Sequence, residues 1–467
     1  MNNNDIVQKL WNLCNVLRDD GITYQQYVTE LTYILFLKMS AEKETEENIP
    51  EKYRWKELIK LEGIELKNVY QQALLDFSKI SGNLGIIYKD ARTNIKEPAN
   101  LNKLFSEIDK IDWYSTDKDD LGDLYEGILE KNAAEKKSGA GQYFTPRVLI
   151  DVIVRVTEPK INEKIYDPAA GTLGFLISAN RYLNEKYEKE YYKEENYNFK
   201  KNEAFSAFEL VEETQRLGMM NAWLHNVDGK FLIGDTLSEN GKKLNNFDLI
   251  LSNPPFGTKK GGESATRDDL MFDTSNKQLN FLQVIYKSLK QTGEARAGVV
   301  LPDNVLFEDG KGREIRKDLL NKCNVHTILR LPTGIFYAQG VKTNVLFFTK
   351  GKTDLNNTKE IWFYDLRTNM PSFGKTNPLT KKHFEEFEKT FNNNIEKEKI
   401  KRWTKISLEE IEKKNFSLDL GLIKDESLID VNNLPEPIET ASSSIEKLEE
   451  AVDLLKEIIT ELSNCEK

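Results

Sequence analysis

The chain has 467 residues, 39% hydrophobic and 30% charged, with 26 Gly and 13 Pro; this length allows roughly two to four domains, and the balance excludes a disordered, low-complexity or collagenous chain. No apolar run reaches the ~18–20 residues of a membrane span, and the start, Met1-Asn2-Asn3-Asn4-Asp5, lacks the basic flank and apolar stretch of a secretion signal, so the expectation is a cytoplasmic protein with no membrane contact. The formal charge is −10, of which residues 401–467, with 9 basic and 16 acidic side chains, carry −7; the tail is a poor grip for phosphates, while the nearly neutral body can still present a basic groove.

The N-terminal stretch predicts helices. Tyr27, Val28, Leu31, Ile34 and Leu35 recur at helical spacing. Leu121, Leu124, Ile128 and Leu129 repeat the pattern after Asp117, Asp119 and Asp120, residues that suit a helix start. Composition turns small and polar at Lys136-Lys137-Ser138-Gly139-Ala140-Gly141, which closes an all-helical domain over 1–138. Beyond it, β-rich runs at 164–167, 204–209, 231–235, 247–253, 297–302, 325–332 and 343–349 alternate with helical stretches. That rhythm predicts an α/β domain over 139–379, a mostly parallel sheet with helices on both faces. Such sheets bind ligands beyond the carboxyl ends of their strands. Residues 380–467 return to charged, helical sequence. Within them Ser443 and Glu446 fit a capping box. Ile445, Leu448, Val452, Leu455, Ile459 and Leu462 are spaced 3, 4, 3, 4, 3, a coiled-coil seam of under three heptads. A helix that short is marginal alone. It needs a partner, in this chain or in another subunit.

The cysteines (Cys14, Cys323, Cys465) and histidines (His225, His326, His383) are few and scattered. They form neither a disulfide framework nor a metal-ligand pattern, and no metal is expected.

The chemistry concentrates in Asn253-Pro254-Pro255-Phe256, directly after an apolar run. Two prolines end the strand and make a stiff bend at its carboxyl end. There the Asn253 side-chain oxygen and the Pro254 carbonyl can accept from one amino group, and the Phe256 ring can stack on a flat base. This suits methylation of an exocyclic amine, adenine N6 or cytosine N4. Two acceptors on its hydrogens draw the nitrogen toward tetrahedral geometry and free its lone pair for in-line attack. No strong base is required. The plainer reading of the same residues is an Asn-Pro turn.

A methyl-donor site is expected upstream. Asp167-Pro168-Ala169-Ala170-Gly171-Thr172-Leu173-Gly174 reads as strand, small-residue turn and helix, with Gly171 and Gly174 allowing close approach of a ligand. Glu209, ending the next strand, can hold ribose hydroxyls, and Asp235, ending the third, can meet the donor's adenine ring. Each acid alone reads equally well as a helix cap or solvated carboxylate.

Together these residues resemble the S-adenosylmethionine-dependent amino-methyltransferases of DNA. Gly139-Ala140-Gly141-Gln142-Tyr143-Phe144-Thr145-Pro146-Arg147 stands first, the donor motif next and Asn253–Phe256 last, the order of the γ class; the resemblance implies that the first segment helps close the methionine end of the donor pocket. The likeness narrows to the modification (M) subunit of type I restriction-modification systems, type IA branch. It is carried by Leu121-Gly122-Asp123-Leu124-Tyr125-Glu126, by Cys14-Asn15-Val16-Leu17-Arg18-Asp19-Asp20-Gly21-Ile22, by Pro302-Asp303-Asn304-Val305-Leu306-Phe307 and by the stretch from Leu331-Pro332-Thr333-Gly334 to Lys342-Thr343-Asn344.

The resemblance implies a Rossmann-like class I methyltransferase domain with a seven-stranded type of sheet, adenine N6 methylation of double-stranded DNA, and S-adenosylmethionine as cofactor. It also implies partners: a specificity (S) subunit shared by two M subunits, which reads the target, and a restriction (R) motor-nuclease subunit. The sequence has no Gly-x-x-x-x-Gly-Lys-Ser/Thr phosphate loop of its own. It departs from many amino-methyltransferases in having Ala170 for Cys and Leu173 for Gly. If the backbone at 173 takes positive φ, Leu there costs about 1–2 kcal/mol and donor affinity suffers. A protein-glutamine or RNA-guanine N-methyltransferase, a stand-alone DNA methyltransferase and a non-catalytic DNA clamp are the competing readings. The helical N-terminal domain, the acidic tail and the intact Asn253–Phe256 argue against each in turn.

Overall fold

Helix α2 (Tyr24–Glu42) organises the N-terminal region. It starts at a capping box, where Thr23 accepts from the Gln26 N–H while the Gln26 side chain accepts from the Thr23 N–H. Residues 27–40 are then buried without interruption, so this helix is covered on all sides. Around it lie α1 (Asn3–Asn12), α3 (Gly63–Phe77), α4 (Pro98–Asp109) and α5 (Leu121–Glu135). The structure, a computed structural model, describes residues 3–13, 21–111, 113, 121–135, 145–257, 267–336, 342–368, 370, 371, 373 and 377–419. Among those up to Glu135, every regular element is a helix. The chain divides into two units, Met1–Leu420 and Gly421–Lys467; the second, with the seam from Ile445 to Leu462, lies outside the described residues, as do Cys14, Cys465 and Asp117, Asp119 and Asp120. Among the described residues no helix is long and apolar enough to cross a membrane.

Nine strands form one sheet: β1 (Ile165–Asp167), β2 (Phe205–Glu209), β3 (Lys230–Ile233), β4 (Leu249–Ser252), β5 (Arg296–Pro302), β6 (Cys323–Arg330), β7 (Thr343–Lys350), β8 (Glu360–Asp365) and β9 (Trp403–Ser407). Their order is β3-β2-β1-β4-β5-β7-β6-β8-β9. Five of the eight pairings are parallel; β7 is antiparallel to both β5 and β6, and β9 to β8. The first seven strands thus form the expected methyltransferase sheet, and β8 and β9 extend it past β6. Helices α6 (Arg147–Thr157), α7 (Gly174–Tyr187), α8 (Glu212–Leu224), α9 (Lys277–Ser288) and α10 (Lys311–Lys322) cover the sheet.

Two points correct the sequence reading. Residues 403–407 fall in the stretch read as helical tail, yet they form the edge strand β9, with Ile406 paired to Ile361 and Trp403 to Tyr364. Trp403 is buried against Tyr364 and Phe387, and this packing overrides the polar sequence around it. The runs at 231–235 and 247–253 end earlier than expected. Gly234 and Asp235 already turn out of the sheet, and Asn253 precedes Pro254, which has no N–H to continue a ladder.

The helical region and the sheet share packing. Leu217, Met219, Met220 and Leu224 of α8 belong to the same hydrophobic core as α2, α3, α4 and α5. Arg216 donates to the Ile87 and Lys89 carbonyls at 2.8 and 2.6 Å, and Thr29 donates to Glu213 at 2.8 Å. Helix α8 therefore lies between the helical layer and the carboxyl edge of the sheet.

Candidate active site at the carboxyl edge of the sheet

The order β3-β2-β1-β4 places Asp235, Glu209, Asp167 and Asn253 at the ends of four adjacent strands, with neighbours about 4.8 Å apart. The loop after β1 passes over this edge. Gly171 has φ +55°, and no atom lies within 4 Å of the position its Cβ would take. The loop is thus open to a ligand just where the backbone needs a glycine. Glu209 braces it: one carboxylate oxygen accepts from the Gly171 N–H at 2.8 Å, the other from the Val211 N–H at 2.9 Å. Burial raises its pKa. Its remaining lone pairs are available to hydroxyl donors.

Asp167 closes β1. It is 1% exposed. Its Oδ1 accepts from the Ala169 N–H at 3.0 Å and the Ser252 hydroxyl at 2.7 Å. It therefore locks the end of β1 to the residue just before Asn253, and burial pushes its pKa up to about 7. Asp235 is half-buried and accepts from the Leu237 N–H at 2.8 Å. The next residue, Thr236, donates to the Pro168 carbonyl at 2.6 Å, which ties the end of β3 to the donor loop.

Leu173 has φ 64° and ψ 21°, a left-handed conformation. The strain foreseen for a positive φ is present. Its side chain is 4% exposed within the core beneath the sheet, and burying a leucine contributes about 1.5–3 kcal/mol, which offsets the roughly 1–2 kcal/mol of strain. The flanking carbonyls are both held: Thr172 by the Asn221 side-chain amide at 3.0 Å, Gly174 by Arg147 Nη1 at 2.9 Å. A Cβ on Gly174 would stand 3.0 Å from the Ile150 side chain, so this glycine serves close packing of α7 on α6.

Asn253 is half-buried at the end of β4. Its Nδ2 donates to the Thr145 hydroxyl at 2.8 Å. Its Oδ1 is buried and has no hydrogen-bond partner among the described residues. A buried acceptor without a donor is costly, which makes this oxygen a candidate acceptor for an N–H. Pro254 is buried, Pro255 and Phe256 half-buried. Gly257 follows at φ 111°, and its carbonyl accepts from the Lys277 N–H at 3.1 Å, which anchors the bend to the first turn of α9. Of the segment expected to close the pocket, Gly139, Ala140, Gly141, Gln142, Tyr143 and Phe144 lie outside the described residues. Thr145 is described, and its contact is with Asn253.

Sequence reasoning missed Ser252, Arg147 and Asn221. Arg147 and Glu126 stand inside motifs it singled out, but their pairing across the two regions has no signature in spacing. It also could not see that Asp123, Glu126 and His225 come together, each offering a ligand atom within 4.8 Å of the others. Arg147 pairs with Glu126, and Arg181 with Asp123 at 2.7 Å. Two guanidiniums thus occupy the charge a cation would need, and burial, then Arg147 and Arg181, push His225 down to about 4. The cluster is an ion-pair network with a neutral imidazole.

Comparison with known proteins bears on the whole chain. The family model described as N-6 DNA Methylase matches residues 116–429, and that of the HsdM N-terminal domain matches residues 6–156. The sequence is 43% identical to the type I restriction enzyme StySPI methylase subunit of Salmonella potsdam, over 99% of this chain and 96% of that protein. The EcoKI methylase subunit of Escherichia coli strain K12 gives the same identity and coverage. The crystal structure of the EcoKI M protein aligns with 98% of this chain and 96% of its own, at 38% identity and a TM-score of 0.57. A chain from a structural study of assembly and conformational transition in a type I restriction-modification system aligns over 98% of both, at 26% identity and a TM-score of 0.74.

Proposed function

Because the chain belongs to the N-6 DNA methylase family, and within it to the methylase subunits of type I restriction enzymes, we propose that it methylates adenine N6 in double-stranded DNA with S-adenosylmethionine as donor. It does so in the cytoplasm, as two copies with one specificity subunit that reads the target, joined by a restriction subunit in the full complex. The observation that carries the reading is the buried Oδ1 of Asn253, which has no partner among the described residues, with the rest of that amide fixed by Thr145. An adenine amino group supplies the missing N–H.

The loop fits the donor. Gly171 leaves an open face over the end of β1, and Glu209 offers acceptors beside it. When bound, S-adenosylmethionine supplies a methyl group on a positively charged sulfur. The chain's own contribution is placement. Asp167 and Ser252 fix the end of β4 against the end of β1, so the acceptor for the amine and the donor loop keep one spacing. Asn253 Oδ1, with the Pro254 carbonyl, holds the amine hydrogens and frees the nitrogen lone pair. Phe256 offers a ring to the face of the base. The base must leave the duplex to reach this edge. Among the described residues the strands form a single sheet, with no second β-domain for reading sequence, which supports a separate specificity subunit.

Asn253→Ala tests the proposal. Methyl transfer, assayed with the specificity subunit, should fall on the order of 10²–10³ as an oriented acceptor is lost. Donor affinity by calorimetry should be unchanged. Near-wild-type methylation would show that the amine is held elsewhere.

A further inference from the structure

Helix α5 carries Leu121-Gly122-Asp123-Leu124-Tyr125-Glu126, and none of these residues takes part in the chemistry above. Leu121, Leu124 and Tyr125 are core of the helical layer. Gly122 leaves room for His225, whose ring atoms would stand 2.5–2.8 Å from a Cβ there. Asp123 pairs with Arg181. Glu126 is the residue that reaches toward the donor loop. Its Oε1 takes an ion pair from Arg147 and a hydrogen bond from Asn221 Nδ2 at 3.4 Å.

Those two partners are the side chains that hold the Thr172 and Gly174 carbonyls of the loop. Arg147 grips the Gly174 carbonyl at 2.9 Å and Asn221 the Thr172 carbonyl at 3.0 Å. Between the two carbonyls stands Leu173, at φ 64°, a conformation that a leucine keeps only when its surroundings impose it. Helix α8, which carries Asn221, lies so close that a Cβ on its Gly218 would sit 3.1 Å from the Gly171 carbonyl. One carboxylate oxygen on the helical layer thus aligns both clamps on the strained turn.

We propose that Glu126 is a positioning residue for the methyl donor: through Arg147 and Asn221 it sets the Thr172–Gly174 backbone, and with it the affinity of the pocket. The inference rests on reading this loop as the donor site. It gives the Leu121–Glu126 motif a role in donor binding, exerted from the helical layer and without contact to the donor.

The test uses the full chain, titrated with S-adenosylmethionine by calorimetry, and its complex with the specificity subunit in steady-state methylation. Glu126→Ala should raise the donor Kd and KM about tenfold, with kcat at saturating donor within about twofold of wild type. Glu126→Gln, which keeps an acceptor oxygen but not the charge, should raise them about threefold and decides the matter if the alanine variant does not fold. A residue of purely structural importance would lower kcat through loss of active protein and leave KM alone. Asn221→Ala combined with Glu126→Ala should cost less than the sum of the two single effects, because Glu126 acts in part through Asn221. Gly171→Val, placing a side chain in the open face of the loop, is the control. If it abolishes donor binding while both Glu126 variants bind normally, the positioning role is overturned. If donor binding survives Gly171→Val, the donor-loop reading falls, and the proposal with it.

Discussion

In the proposed reading Asn253 offers one oriented oxygen to the amine, and the Phe256 ring three residues on stacks on the same base. Phe256→Ala should weaken capture of the flipped base by about 1–3 kcal/mol, the usual worth of stacking on one base, and Phe256→Trp should retain more activity. Equal losses in the two variants, measured as KM for DNA, would mean that the ring only packs. Asp167 is one residue whose protonation bears on stability. Burial lifts it to about 7, against roughly 4 in an unfolded chain. Between those values the folded protein keeps a proton that the unfolded chain has lost. The contribution of Asp167 to stability therefore falls as pH rises from about 4 to 7 and levels off above, while His225 and His326, both pushed down to about 4 by burial, contribute the opposite trend up to about 6.5. Glu30, also lifted to about 7 by burial, acts in the same window. Asp167→Asn keeps an acceptor for the Ala169 N–H and the Ser252 hydroxyl but has no charge to bury. The urea-unfolding midpoint of the variant should therefore gain on that of wild type as pH rises from about 5 to 7. A full wild-type slope would show that Asp167 does not titrate there.

At the scale of elements, what was legible in the sequence divides by how locally each signal is written. The seven runs from 164 to 349 are apolar and end at turn residues, and each corresponds to a strand. The segment Glu360–Asp365 holds Ile361, Trp362, Phe363 and Tyr364 in a row, a strand signal that went unread beside the stronger ones. Strand β9 has no such run: only Trp403 of its five residues is buried. Its state follows from pairing with β8, which lies 40 residues away and is invisible to periodicity. The same division applies to the site. Asn253-Pro254-Pro255-Phe256 is contiguous and was readable. The contacts of Thr145 with Asn253 and of Ser252 with Asp167 join residues far apart in sequence and needed the fold. For β9 the anchor is Trp403, which stacks on Phe387 and donates to Thr390 at 2.9 Å. Trp403→Ala should cost about 3–5 kcal/mol of stability, read by urea unfolding. Donor affinity of the folded fraction should be unchanged, because the donor loop lies at the opposite side of the sheet order. A loss below about 1 kcal/mol would mean that β9 does not hold the sheet edge.

At the scale of the whole molecule, charge is unevenly shared: residues 401–467 carry −7 of the net −10. The compact unit Met1–Leu420 ends before the seam from Ile445 to Leu462 begins. An acidic segment is a poor partner for DNA, and six apolar residues at 3–4 spacing need another helix to cover them. The expected partner is a helix of the specificity subunit. Val452→Asp with Leu455→Asp would force charge against that apolar partner, at a cost of roughly several kcal/mol unless the helix detaches. Donor binding should persist, since every residue of the donor loop lies in the first unit. Sequence-specific methylation should fall, because the catalytic chain would lose its connection to the subunit that reads the target. Size-exclusion chromatography of the double variant mixed with the specificity subunit gives the answer. Assembly at wild-type concentrations would place the subunit contact on another surface and leave the seam to pack within its own chain.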